Sequence, residues 1–123
     1  MQAVILLGRV LMSAIFLRSG YGKLMAPAAT MGMFAHYHLP VVGAAYALAV
    51  VVELIGGALV LVGWQTRYVA PVMAVWCVAT AWVAHLHPDD TMQMINFYKN
   101  LCMAGGFLVL AASGAGRISL DRR

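Results

Sequence analysis

The sequence predicts an all-α fold, an integral membrane bundle of four transmembrane helices with a short interfacial or re-entrant segment after the first. Of its 123 residues, 63% are hydrophobic and 10% are charged, whereas a soluble globular domain is only about 45–50% apolar. The apolar residues form four runs, each close to the roughly 20 residues that a helix needs to cross a bilayer. Only short connections remain, so residues 1–123 are predicted to form a single membrane domain.

The first span covers about residues 3–24 and contains three basic residues. At about 100° per residue, Arg9 and Lys23 lie on one helical face, and Arg18 points to the opposite face. Arg9 and Lys23 lie near opposite ends of the span and can extend to opposite interfaces. Arg18 has to reach the outer interface or a protein partner.

A short segment, residues 28–39, follows the first span. Pro27 ends the apolar run, and Pro40 precedes the second span. The segment contains two histidines and is too short and too polar to cross the membrane. It is therefore predicted to lie at the membrane interface or to re-enter the membrane from one side.

The second span, 41–62, contains a single charged residue, Glu53. At about 1.5 Å of rise per residue, Glu53 lies close to the middle of the bilayer. An acid at this depth is costly and by default indicates a functional site with a partner. Gly56 and Gly57 follow about one turn later and leave room for another helix to approach the carboxyl group.

The third span, 68–84, and the fourth, 95–112, place both termini on one side, which carries several arginines, while the opposite loops carry all four histidines. Because basic residues mark cytoplasmic flanks, both termini are predicted to be cytoplasmic, in the inner membrane of a bacterium. The basic residues are scattered singly, so nucleic acid is not an expected partner. The arginines on the terminal side are Arg9, Arg67, Arg117, Arg122 and Arg123.

Three residues of other spans are candidates to hold Glu53. Lys99 and Asn100 lie about a turn into the fourth span, and Lys23 lies near the outer end of the first. Because a lysine side chain can extend along the helices, we expect a Glu53–Lys99 pair or a water-linked cluster with Asn100 and Asn96. Such a cluster either fixes the register of the helices or forms a polar pocket for a ligand or proton.

Two histidine pairs, His36 with His38 and His85 with His87, are predicted to lie on the face opposite the termini. Imidazole ligands suit zinc, iron or copper, so a four-histidine metal site is one hypothesis. The alternative is a set of ordinary interfacial histidines, because nothing in the sequence shows that the two loops meet.

Short motifs occur in order along nearly the whole chain, and together they resemble the DoxX family of small four-helix inner-membrane proteins. They include Gly8-Arg9, Ser19-Gly20, Lys23-Leu24, Glu53-Leu-Ile-Gly-Gly57, Thr66-Arg67, Asn96-Phe-Tyr-Lys99-Asn100 and Gly116-Arg117-Ile-Ser119-Leu-Asp121.

The resemblance implies association with thiosulfate:quinone oxidoreduction, with complexes of oxidative or thiol stress, or with resistance to quinone-like compounds. One departure from the family is His38, which stands before Leu39-Pro40 where the family often has glycine. The family positions that the resemblance makes important are Arg9, Lys23, Glu53, Arg67, His85, Lys99 and Asn100.

The leading hypothesis is a subunit of a membrane quinone-dependent oxidoreductase, in which Glu53 relays a proton and Lys99 is the second catalytic residue. Quinone is the expected cofactor, and a homo-oligomer or a partner oxidoreductase subunit is expected within the lipid bilayer. The residues predicted to bind the quinone are Arg9, Lys23, Glu53, Lys99 and Asn100.

Two other functions fit the same sequence. A non-catalytic scaffold or assembly subunit would anchor a partner enzyme, and Arg18 favours it because a charge outside the bundle needs a partner. A small transporter is the third hypothesis, because short four-span exporters also contain one membrane glutamate. The acid of those exporters lies in the first span, whereas Glu53 lies in the second.

Overall fold

The computed structural model describes residues 1–122, and these residues form helices and no strands. Four of the helices are long and apolar enough to cross a membrane, which confirms the predicted all-α bundle with four spans. Arg123, the last residue of the predicted basic tail, lies outside the described residues.

Five helices follow one another along the chain, and the second of them is too short to cross a membrane. The predicted interfacial or re-entrant segment forms this short helix. The helices are α1 (Gln2–Met25), α2 (Pro27–His36), α3 (Val42–Val62), α4 (Thr66–His85) and α5 (Thr91–Ser113).

Helix α5 begins at Thr91, four residues before the predicted start of the fourth span. The reason is an N-cap: Asp90 Oδ1 accepts hydrogen bonds from the backbone N–H groups of Met92, at 3.0 Å, and Gln93, at 3.2 Å. A capping carboxylate satisfies donors that a helix start otherwise leaves open. The prediction followed hydropathy alone and therefore placed this polar first turn in the loop.

Two of the long helices contain a π-helical turn. In α3 this turn is Val52–Gly56, and in α4 it is the last turn, Ala81–His85. A π-turn inserts one residue into the α-helical repeat, rotates the side chains around it, and is frequent at functional sites. Glu53 lies in the first of these turns and His85 in the second.

The long helices form two hairpins, α1 with α3 and α4 with α5. The Val52–Val62 half of α3 packs against both α1 and α4, whereas its Val42–Val51 half packs against α1 and α2. The hairpins meet in an apolar core that includes Phe16, Met73 and Phe107. They therefore join tightly in one half of the bundle and diverge in the other.

We call the end that contains both chain termini the terminal end, and the end with the α4–α5 connection the loop end. At the terminal end Arg9, which is 1% exposed, donates to the carbonyl oxygens of Leu61, at 3.1 Å, and Ile118. Asp121 accepts from the backbone N–H groups of Gln65 and Thr66 at the start of α4. The C-terminal tail therefore closes this end of the bundle.

Candidate functional site

A cavity of about 440 Å³ lies between the two hairpins in the half toward the loop end, where they diverge. Residues of all five helices line it. Most of its wall is apolar, and Phe16 and Trp76 are among its aromatic members. The residues with polar side-chain atoms that line it are Ser19, Lys23, Tyr37, Glu53, Thr80, His85, Asn100 and Trp76.

The first polar group of the cavity is an ion pair between α1 and α3. Lys23 Nζ lies 3.0 Å from Glu53 Oε1 and also donates to Ser19 Oγ at 2.8 Å. The side chain of Glu53 is 5% exposed and that of Lys23 is 19% exposed. A carboxylate buried this deeply needs a cation nearby, because the attraction between the charges offsets the cost of removing them from water.

Glycines bring the α1 and α3 backbones close enough for this pair to form. A Cβ atom added to Gly20 of α1 would lie 2.8 Å from Leu54 Cγ and 3.1 Å from Glu53 Cβ. On the other side of α3, a Cβ added to Gly56 would lie 2.5 Å from the sulfur of Met73. The π-turn that contains Glu53 is therefore held between α1 and α4 with no room for larger side chains.

The second polar group lies on the opposite hairpin. Asn100 Nδ2 donates to Thr80 Oγ1 at 3.1 Å, and the Thr80 hydroxyl donates to the Trp76 carbonyl oxygen at 2.9 Å. Nearer the loop end, His85 Nδ1 lies 2.8 Å from Gln93 Oε1. Both hairpins thus present polar side chains to the same space.

The cavity is closed toward the terminal end. Val60, Met73 and Phe107 of the apolar core are fully buried, and Phe16 belongs both to this core and to the cavity lining. The rings of Phe16 and Phe107 pack with centroids 5.6 Å apart. The charged pair therefore has a dry apolar layer on its terminal side and the cavity on its loop side.

The structure pairs Glu53 with Lys23, one of the predicted candidates, and the predicted Glu53–Lys99 pair is not formed. Lys99 is exposed, whereas its neighbour Asn100 lines the cavity. Consecutive residues of a helix point about 100° apart, so only one of the two can face the bundle interior. Lys99 is therefore not among the described residues that line the cavity.

Arg9, which was also predicted to bind the quinone, lies outside the cavity lining. It precedes Lys23 by about four helical turns and holds the C-terminal tail at the terminal end. Arg67 also lies at that end, with its guanidinium 4.9 Å from the ring centroid of Tyr68. Of the residues predicted to bind the quinone, Lys23, Glu53 and Asn100 are those that line the cavity.

The four histidines do not come together. Within residues 1–122, no three His, Cys, Asp or Glu side chains form a group able to hold a metal ion. His85 lines the cavity and bonds to Gln93, His36 packs near Tyr37, and His87 is exposed in the α4–α5 connection. His38 has a left-handed backbone with φ of 60°, which explains why glycine suits this position.

Ser19 and Thr80 line the cavity, and Gln93 bonds to the lining residue His85, but none of these three carried a functional prediction. Ser19 precedes Lys23 by four residues, a spacing that places the two side chains on one helical face. The sequence therefore contained an indication that Ser19 contacts Lys23. The sequence contained no such indication for Thr80 or Gln93, because a threonine or glutamine in or beside an apolar span is common. Their roles come from contacts between α4 and α5.

Comparisons with known proteins show that the sequence is similar to those of inner-membrane proteins. A sequence model of the DoxX family matches residues 4–86. Inner membrane protein YphA of Escherichia coli (strain K12) is 36% identical over 125 residues, covering 98% of this chain and 89% of the relative. Inner membrane protein YqjF of the same organism is 34% identical over 118 residues, covering 96% and 89%. No solved structure matches the chain.

Proposed function

The chain belongs to the DoxX family of inner-membrane proteins, and from that premise we propose that it is a quinone-binding subunit of a membrane oxidoreductase. The observation that supports this proposal is the buried Lys23–Glu53 pair, which faces a cavity whose opposite wall carries Asn100. A structural clasp alone needs no cavity beside it. Its volume of about 440 Å³ lies within the range of small-molecule sites.

Hydrogen-bond capacity supports a ligand with two carbonyl oxygens. A lysine ammonium has three N–H donors, and Ser19 and Glu53 take two of those of Lys23. An asparagine amide has two donors, and Thr80 takes one of those of Asn100. One donor is left on each hairpin, and a quinone ring between apolar walls would accept one hydrogen bond at each carbonyl.

The roles of the side chains follow from their charges. A bound quinone would supply two-electron redox chemistry, with electrons delivered by a partner subunit. The Lys23 ammonium stabilises negative charge on the oxygen it contacts, because electrostatic stabilisation is strong in a site from which water is excluded. When the ring is reduced, Glu53 would deliver the proton that this oxygen gains, and when the ring is oxidised, Glu53 would accept it. Asn100 orients the ring through the second oxygen.

The test measures quinone bound to the protein purified in mild detergent. Extracted quinone is quantified for the wild type, Lys23→Met and Glu53→Gln, and Lys99→Met is the matched control because Lys99 is exposed. We expect bound quinone in the wild type and the control and about a tenfold loss of affinity, near 1.4 kcal/mol, in the other two. Absence of quinone from the wild type, after reconstitution with added quinone as well, would contradict the proposal.

A scaffold is the second candidate function, and the exposure of Arg18 favours it. Arg18 is exposed on α1, and its Nη1 atom would lie 3.3 Å from a Cβ added to Gly22, so it extends toward the loop end. Extension of this kind places the charge near the membrane interface, where a partner carboxylate could meet it. Co-purification of one stable partner that is lost in Arg18→Leu, with quinone absent, would decide for the scaffold.

A further inference from the structure

The contact between α3 and α4 covers only part of the length of the two helices. The loop-end half of α3, Val42–Val51, packs on α1 and α2, and the packing of α3 against α4 is carried by Val52–Val62. The two helices therefore separate on the loop-end side of the π-turn of α3. Leu48 of α3 and Ala79 of α4 both line the cavity and are both exposed, Leu48 by 55%.

These two residues lie at the same depth in the membrane. Each is about 9 Å from the loop end of its helix, at about 1.5 Å of rise per residue. This depth is within the hydrocarbon core of a bilayer about 30 Å thick. A side chain that is exposed at this depth and also lines the cavity is within reach of lipid, and Ile15 of α1, 52% exposed, is a second place where this holds.

Helix α2 covers the cavity from the loop side. Met33, Phe34 and Tyr37 line the cavity, and Phe34 is 8% exposed. The helix is tied in place on both sides, because it packs along α3 and because only Ala26 separates it from α1. Phe34 therefore covers part of the loop side, while Met33 beside it is 43% exposed and the Lys23 side chain is 19% exposed.

We propose that ligands enter this cavity sideways from the bilayer, through a portal between α3 and α4 bordered by Leu48 and Ala79. The class of ligand that fits such a portal is an amphiphile whose carbonyl-bearing ring reaches the Lys23–Glu53 pair while an apolar chain stays in the lipid. This inference rests on the proposed function for the identity of the ring, and the portal itself rests on the geometry alone.

The first experiment needs no quinone. Ser19→Cys is placed in a Cys77→Ala, Cys102→Ala background, so that one thiol faces the cavity. Proteoliposomes are treated with a membrane-dissolved pyrenyl maleimide or with a charged, impermeant methanethiosulfonate added to both sides. The portal predicts that the lipid-soluble reagent labels the thiol and that the charged reagent is slower by about tenfold or more.

Bulky substitutions then locate the opening. Leu48→Trp and Ala79→Trp narrow the portal, whereas Val51→Trp and Val75→Trp place the same side chain on lipid-exposed positions of α3 and α4 outside the cavity lining. We expect about a tenfold slower labelling in the first two and unchanged labelling in the controls. Fast labelling by the charged reagent, or slowing by Ile15→Trp of α1 and not by the portal variants, would overturn the proposal.

The second experiment uses two quinones with the same ring, one with a decyl chain and one without. The portal predicts that Leu48→Trp slows association of the decyl compound about tenfold and that the chain strengthens binding to the wild type. Equal affinity for the two compounds would overturn the ligand class. If neither quinone binds while the labelling pattern holds, the proposed function fails and the portal stands.

Discussion

Removal of one partner of the Lys23–Glu53 pair should destabilise the fold strongly. Lys23→Met leaves the Glu53 carboxylate, which is 5% exposed, without a cation at 3.0 Å. At an effective dielectric constant of about 20, two unit charges at this separation attract by roughly 5 kcal/mol. Measured costs of breaking buried pairs are about 3–5 kcal/mol, so we expect a loss of that size in the free energy of unfolding.

The reverse variant, Glu53→Gln, should cost less. The Lys23 side chain is 19% exposed and keeps its bond to Ser19, so its charge can extend toward water at the loop end. We expect a loss of about 2 kcal/mol. In the double variant neither charge is left alone, and the expected loss is roughly 2 kcal/mol, which gives a coupling energy of about 3–5 kcal/mol between the two positions.

The assay is unfolding in mixed micelles of mild detergent and dodecyl sulfate, followed by far-ultraviolet circular dichroism. Lys99→Met is the control and should change stability by no more than about 0.5 kcal/mol, because Lys99 is exposed. Additive effects of Lys23→Met and Glu53→Gln would show that the two groups do not interact. A loss in Lys99→Met as large as that in Lys23→Met would refute the pairing.

Three further predictions concern the terminal end and the helix caps, and the same unfolding assay checks them. Gly63→Ala should cost about 2 kcal/mol or more, because the residue has φ of 69° and a Cβ there would collide with Arg9, whereas Gly43→Ala, where a Cβ meets open space, should not destabilise. Asp121→Ala should cost about 1 kcal/mol, because its carboxylate caps α4; no loss would mean that the tail does not hold this helix. Asp90→Ala should cost a similar amount, about 1 kcal/mol, and increase amide exchange in the first turn of α5, and unchanged exchange would refute its capping role.

The four spans were predictable from sequence because length and hydropathy set the number of crossings. The importance of Glu53 was predictable for a related reason, since a single acid in an apolar helix needs a compensating group. The identity of its partner was not. Lys23 and Lys99 both lie in the loop-end halves of their helices, and rotation of each helix about its axis decides which one faces inward.

The cavity also could not be predicted from the sequence. Its shape depends on where α3 leaves α4, and the π-turns of α3 and α4 shift the helical repeat without a clear sequence pattern. Arg9 is another residue whose partner could not be predicted from the sequence. Its spacing from Lys23 predicted a shared face, which is correct, but only the fold shows that the C-terminal tail returns to bind it.

Photolabelling with an azidoquinone in native membranes tests most directly whether the Lys23–Glu53 cavity binds quinone. After irradiation, labelled peptides are mapped by mass spectrometry. We predict labels on cavity-lining residues such as Trp76 and Met103, reduced about tenfold in Glu53→Gln and unchanged in Lys99→Met. Labels that fall outside the cavity, or that are equally strong in Glu53→Gln, would contradict a quinone site at this pair.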